Sequence, residues 1–453
     1  MSSSVPEALT APPFPPRTNW RRAVSGLGGS TVQSTLLGGS FIMLLGSTAV
    51  SGVNFAYNIV TARLLGPAAF GHASVAVTLL MLASAITLAF QLVCAKFVAR
   101  NSALEAKLAI VRGLARRAWI VSAALAVAIA LASGPVSRYL QLPSRAIILL
   151  LAVGILFYIP LGVKRGALQG TCAFPRLTSN FLLEASVKFL AAFLLVELLL
   201  LQAPHLALLG AVAAVSISVM AAYFLPPLSP ELRTPIATAS ADAANCIPAS
   251  FREGMQAIVF FIGQVLINNI DIVLVKHFFP AREAGLYAAV ALVGRVVYFA
   301  AWSVVSAMFP ISAGARRQRE SIVILTVPLF FVSLIAVGFV LVTGWFPHLI
   351  INTLFGAGFH EAERLLSSYA AATGIYALSV VLMAYEMSRR IANTGWLQLV
   401  FSGLVIAGIY MFHSTLRQVV VVQLVLMVIL LIAVSIPFLR LQSSDAEEAQ
   451  EAA

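Results

Sequence analysis

Apolar runs, each about as long as a bilayer's hydrocarbon core is thick, follow one another along this chain with only short polar breaks between them. The stretch "RLLGPAAFGHASVAV" at 63–77 shows the pattern: an oily segment stops for Arg63, Gly66 and Pro67, then restarts at Phe70-Gly71. A soluble core helix has no need of such a break. A membrane span does, because about 20 apolar residues suffice to cross the hydrocarbon. Composition agrees, with 60% of the 453 residues hydrophobic and only 10% charged, against about 25% charged in ordinary soluble domains.

Twelve spans are predicted, at 38–62, 70–95, 117–134, 146–163, 178–201, 206–227, 254–279, 285–310, 321–344, 365–388, 395–412 and 418–439. Only helices satisfy their own backbone in hydrocarbon, so the expected fold is an all-α polytopic membrane protein. The longest connection inside the bundle, 228–253, is rich in Pro, Ala and Ser and divides the chain into six-helix halves at 38–227 and 254–440. Residues 1–37, Ser/Pro/Ala/Gly-rich and without the apolar core of a signal peptide, are expected to be a disordered cytoplasmic tail. The acidic end at 441–453 reads the same way.

The net charge of +12 reflects topology rather than nucleic-acid binding. With the N-terminus inside, twenty of the 29 Lys and Arg residues fall on inner segments. Only Arg63, Arg138, Arg145, Lys276, Arg282, Arg364 and Arg417 fall outside, while Lys188 and Arg295 lie within spans. The positive-inside rule therefore places both termini in the cytoplasm. Trp119 and Trp396 near inner ends and Trp345 near an outer end read as interfacial anchors. Cys94, Cys172 and Cys246 have no metal or CxxC spacing and are expected to be free thiols.

The halves carry a faint repeat. "LLGPAAFGHASVAVTLL" (64–80) and "FFPAREAGLYAAVALVG" (278–294) each follow the first helix of a half. Each has a Pro, then a Gly four or five residues later that opens a helix of small residues. Matching orientation in both halves would make this a parallel repeat.

At these residues the chain resembles the polysaccharide and oligosaccharide-lipid flippases of the multidrug/oligosaccharidyl-lipid/polysaccharide exporter superfamily. The segments that carry the resemblance are "NFAYNIVTARLLGPAAFGHASVAVTLL", "GALQGTCAFPRL", "NNIDIVLVKHFFPAREAGLYAAVALVGRVVYFAAWSVVSAMFPISAG" and "LFGAGFHEAERLLSSYA". It spans roughly 38–440 as a pattern, with no motif residue to transfer. The resemblance implies two six-helix lobes around a central cavity that opens to either side in turn. The implied cargo is a glycan on a polyprenyl diphosphate, carried from the cytoplasmic to the outer leaflet of a bacterial inner membrane. A lipid-linked oligosaccharide, the membrane and other polysaccharide assembly proteins are the partners expected. No nucleic acid, cofactor, metal or catalytic residue is expected. Rival readings are a cation-coupled multidrug exporter, a peptidoglycan-precursor flippase, a membrane glycan polymerase or glycosyltransferase, and a scaffold.

Candidate binding residues follow from the cost of polar groups in a bilayer, about 2.5–3.5 kcal/mol for an ionised side chain at the centre. Glu184 and Lys188 share one helix face at i,i+4, about 9 and 15 Å from the inner end. Either they neutralise each other, or Lys188 meets an anionic headgroup. Asp271 and Arg295 lie at matching depths, about 12 and 15 Å, on adjacent helices. Either they form an interhelical ion pair, or Arg295 binds a diphosphate with Asp271 orienting it. Asn54 and Asn58 on the first helix, and Gln264, Asn268 and Asn269 on the seventh, offer amides to sugar hydroxyls or to neighbouring helices. Lys96, Glu386, Arg63 and Lys276 sit near span ends and are expected to snorkel to the interface.

Overall fold

In the computed structural model the described residues, 29–101, 103–225, 251–301, 304, 318–389 and 396–451, are helical nearly throughout. In chain order the helices are α1 Gly29–Arg100, α2 Leu104–Leu131, α3 Ser133–Tyr139, α4 Ala146–Gly170, α5 Phe174–Gln202, α6 Ala207–Phe224 and α7 Phe251–Ile267. There follow α8 Ile270–Phe278, α9 Ala281–Gly294, α10 Gln318–Trp345, α11 Pro347–Phe355, α12 Glu363–Arg389, α13 Leu397–Met411 and α14 Leu416–Glu451. Nine helices among the described residues are long and apolar enough to cross a membrane. The expected linker at 228–253 lies almost wholly outside the described residues. Helix α1 begins at Gly29 and α14 continues to Glu451, inside both segments expected to be disordered tails.

The opening hairpin is tighter than the sequence suggests. The break in α1 is confined to Gly66, with φ 73 and ψ 174, a region open in practice to glycine alone. Pro67 starts the next arm at once, its fixed φ suiting a first helical position. The two arms run back on each other: Gly46 sits against Thr178, while Gly170 sits against Ala95 and Val98, all at the α4–α5 corner. Buried side chains of α7 to α14 form one large cluster, to which α1 adds Ala62 and Phe70. Those of α1 to α6 form separate clusters around α4 and α6.

The halves meet at the end that carries the 63–67 hairpin, and the contact is reciprocal. Arg63 reaches from the first hairpin to the carbonyls of Thr353 and Leu354, which the end of α11 leaves without helical partners. Phe70 lies against Phe355 and Phe359, with ring centres 6.5 and 6.1 Å apart. In the other direction, the α8–α9 hairpin brings His277 onto Tyr139 of α3, ring on ring at 3.7 Å. Gln141 Nε2 donates to the His277 carbonyl at 2.9 Å, and the Tyr139 and Tyr410 hydroxyls are 2.6 Å apart. Burial and the Tyr410 hydroxyl push the Tyr139 phenol up to about 12, so it stays protonated at ordinary pH. Between these arms Gly71 of α1 and Gly285 of α9 touch backbone to backbone. A Cβ on Gly285 would collide with the Pro67 carbonyl, and one on Gly71 with that of Ala281. The two segments paired by the faint repeat are therefore each other's contact.

Two of the four residues expected to snorkel do not: Lys276 and Glu386 are fully buried. The Lys276 amine reaches the Gln141 carbonyl of the other half at 3.5 Å and is covered there by protein.

Candidate functional site

Among the described residues, a buried Arg–carboxylate pair stands in each half. In the second half it lies where two helices break at the same level. The expected span 254–279 is interrupted at Asn268-Asn269, between α7 and α8. The Asn269 backbone N–H turns to the Leu266 carbonyl, leaving that of Val265 to its own side chain, while Asn268 reinforces a ladder bond still made. Asn268 Nδ2 donates to the Gln264 carbonyl at 2.8 Å and Asn269 Nδ2 to that of Val265 at 2.7 Å. Helix α9 loosens at Gly294-Arg295, and Thr373 Oγ1 donates to the Gly294 carbonyl at 2.8 Å. Broken helices inside a membrane protein are tolerated where their backbone is buried or lines a cavity, and they mark transporter binding sites.

Asp271, in the first turn of α8, is at the centre. Its Oδ1 accepts from Arg295 Nη2 at 3.2 Å, and its Oδ2 accepts from the Tyr369 hydroxyl at 2.9 Å. The Tyr287 hydroxyl has two acceptors within reach, Asp271 Oδ2 at 3.0 Å and Gln423 Oε1 at 3.2 Å. Arg295 Nη1 donates to Asn269 Oδ1 at 3.3 Å, while its Nε is buried without a partner. Asp271 and Arg295 thus meet, as their matching depths predict, in an ion pair with the carboxylate 1% exposed and the guanidinium 15%. Beside them is a cavity lined by Ile267, Asn268, Tyr369, Ala372, Thr373, Tyr376, Val405, Gln423 and Met427. The Tyr376 ring stacks on Tyr298, and Gln264 Nε2 donates to the Tyr298 hydroxyl.

In the first half the sequence pairing of Glu184 with Lys188 is not what forms. Glu184 Oε2 instead takes Arg165 Nη2 at 2.5 Å. The span expected at 146–163 stops short of Arg165 and leaves it in a loop. Helix α4 runs on to Gly170, so Arg165 falls inside it and is 3% exposed. Its neighbour Lys164 reaches outward to the Tyr223 carbonyl and ring. Arg165 Nε also donates to Asn180 Oδ1 at 2.7 Å, and Asn180 Nδ2 donates to the Ala222 carbonyl at 2.8 Å. Lys188, 6% exposed, has its ammonium 5.0 Å above the Tyr57 ring.

The amide face of the first helix is only partly available. Asn58 Nδ2 donates to the Asn54 carbonyl at 2.8 Å, and Asn54 Oδ1 is buried with no partner. Sequence reasoning missed Arg165, Asn180, Tyr57, Tyr287, Tyr369 and Gln423 as members of these clusters. Arg165 was hidden by Pro160 and Gly162, which read as a helix end although α4 runs through them to Gly170. Among the described residues no three His, Cys, Asp or Glu side chains gather as a metal site would require.

A family model described as "Polysaccharide biosynthesis protein" matches residues 36–315. A comparison with curated proteins finds no match. Several solved structures share the fold. One is a multidrug resistance MATE family transporter of the MOP superfamily in an inward-facing conformation, 11% identical with a TM-score of 0.69 over 89% of this chain and 99% of that one. Another is the MATE multidrug transporter DinF-BH, 14% identical with a TM-score of 0.62 over 90% and 95%. A MOP superfamily transporter from Pyrococcus furiosus, for which a reversed polarity of the binding pocket is described, is 14% identical with a TM-score of 0.55 over 90% and 96%. At these identities the likeness establishes the fold, an all-helical MATE-like one.

Proposed function

The chain belongs to the polysaccharide biosynthesis protein family, and from that premise we propose that it is a flippase for a polyprenyl-diphosphate-linked oligosaccharide. It would move this lipid from the cytoplasmic to the outer leaflet of a bacterial inner membrane, with both termini cytoplasmic, for surface polysaccharide assembly. One observation carries the reading: a polysaccharide family model falls on a chain whose fold is that of membrane transporters. The orientation rests on the skew of Lys and Arg toward one side. On that orientation the reciprocal contact closes the outer end, and cargo enters from the cytoplasmic side.

The cargo's constant part is anionic and its variable part carries hydroxyls. Lys188 is the cation best placed for the first, since Arg295 already has Asp271 and Asn269 as partners. Arg295 would join only as Asp271 releases it. The amides of Asn54, Asn58, Gln264, Asn268 and Asn269 suit hydroxyls as the helices part, while Glu184 is committed to Arg165.

Two measurements test this reading together. Loss of the gene should leave lipid-linked oligosaccharide in the cytoplasmic leaflet and remove a surface polysaccharide. Purified protein in vesicles should flip that lipid. Unchanged surface glycan with altered drug tolerance would instead assign the chain to multidrug export.

A further inference from the structure

We propose that Arg165 is a positioning residue that keeps Lys188 available to a phosphate-type anion by holding Glu184 away from it. The proposal rests on reading the chain as a carrier of a phosphate-bearing lipid.

Glu184 and Lys188 are one helical turn apart, with the acid N-terminal to the base, the favourable order for an i,i+4 ion pair. In an interior of low dielectric that attraction is stronger still. Left to themselves the two would neutralise each other. The structure supplies a stronger competitor. The Arg165 guanidinium is held on three sides: by Glu184 Oε2, by Asn180 Oδ1, and by the Phe181 ring 4.0 Å from its Cζ. Asn180 is itself fixed to the α6 backbone through the Ala222 carbonyl. A guanidinium is planar and its donors diverge in a fork, so one preset Arg can hold a carboxylate and an amide at once; an ammonium cannot match that geometry.

Lys188 is left with an incomplete shell. Its Nζ has no hydrogen-bond acceptor among the described residues, and its nearest aromatic partner is the face of Tyr57. The Tyr57 hydroxyl is turned away, 3.4 Å from the Ala211 carbonyl. Arg165 and Lys188 against Glu184 leave one positive charge in excess in this cluster. An ammonium on a side chain only 6% exposed has lost most of its water and is stabilised by an oxyanion that reaches it. A phosphate or diphosphate ester supplies one with several oxygens to share among the ammonium's three donors.

The test is binding of inorganic pyrophosphate to the full chain in detergent, read as the ligand-dependent rise in melting temperature with chloride as control. Wild type should be stabilised, and Lys188→Met should lose at least tenfold in apparent affinity. Arg165→Met should lose as much, because the released Glu184 closes on Lys188. Arg165→Met with Glu184→Gln should bind as wild type does, since Lys188 is again unopposed and the Arg165–Glu184 pair has been removed whole. If Arg165→Met fails to fold, the double variant and Lys188→Met still decide. Failure of wild type to bind overturns the proposal. So does wild-type affinity in a folded Arg165→Met, or in Lys188→Met, or a double variant that folds and does not bind, which would make Arg165 itself the ligand. Pyrophosphate binding that follows this pattern in a protein unable to flip lipid-linked oligosaccharide would sink the flippase reading and leave the role of Arg165 standing.

Discussion

At the scale of single residues, the pairing of Asp271 with Arg295 was legible because depth in a membrane is a simple function of position along a helix. Two charges at equal depth on adjacent helices have few other partners. The rest of their setting was not legible: Tyr287 and Tyr369 are ordinary members of apolar runs, and nothing in their spacing marks them as donors to a carboxylate. Glu184 shows the opposite failure, since a good local rule chose Lys188 and a residue 19 positions away in sequence won. A local pair loses to a tertiary one when the competitor is held rigidly and brings more than one hydrogen bond. The same reasoning gives a prediction for the second half. Asp271→Asn alone strands a buried guanidinium and should lower stability by about 3–5 kcal/mol, with low membrane levels. Asp271→Asn combined with Arg295→Gln should recover most of that loss. Thermal unfolding in detergent checks the first, and vesicle flipping of the recovered double variant shows whether Arg295 contacts cargo. An active double variant leaves Arg295 a structural residue.

At the scale of elements, Gly66-Pro67 marked the place of the first break but not its length: the spans read at 38–62 and 70–95 leave a loop between them, and the helix is interrupted at Gly66 alone. The helices were least readable where the chain breaks without such signals. The interruption at Asn268-Asn269 has neither Gly nor Pro, and the Asn269 amide takes the Val265 carbonyl that the ladder leaves, so an apolar count sees one span. The start of α2 was misplaced for a related reason. Residues 104–116 carry basic side chains and fell below a hydropathy threshold, yet they continue the same helix. Polar termini of membrane helices leave the hydrocarbon without leaving the helix. The loosened turn at Gly294-Arg295 depends on Thr373, whose hydroxyl occupies a carbonyl that the α9 ladder no longer uses. Thr373→Val keeps the shape and removes that donor. It should cost about 1 kcal/mol in thermal unfolding. Because the loosened turn carries Arg295 toward Asp271, flipping should fall more than stability does; a variant with unchanged flipping would show that the kink is incidental.

At the scale of the whole molecule, the repeat in the sequence becomes a contact rather than a mere resemblance between halves. Each half reaches across with its first hairpin to the short helix that joins the third and fourth helices of the other: Arg63 to the end of α11, and His277 to Tyr139 at the end of α3. Gly71 and Gly285 lie between the two arms, where only hydrogen atoms separate one backbone from the other. On the proposed reading, in which the lobes open to each side in turn, this set of contacts would break as a unit, with the glycines setting how closely the halves shut. Gly285→Ala places a methyl group against the Pro67 carbonyl, which belongs to a rigid helix start and cannot swing aside. The variant should fold, because the large core of its own half is untouched, and it should favour the state open at this end. The check uses a chain with Cys94, Cys172 and Cys246 replaced and Phe70→Cys introduced, since Phe70 is only 2% exposed beneath the clasp. A membrane-impermeant thiol reagent added outside intact cells should label the thiol at position 70 slowly in the parent and at least several-fold faster with Gly285→Ala. Labelling that is fast only from the cytoplasmic side would reverse the orientation read from the Lys and Arg distribution. Equal, slow labelling in both proteins would mean that the halves absorb the methyl group without parting, and that the glycine pair does not set the closure.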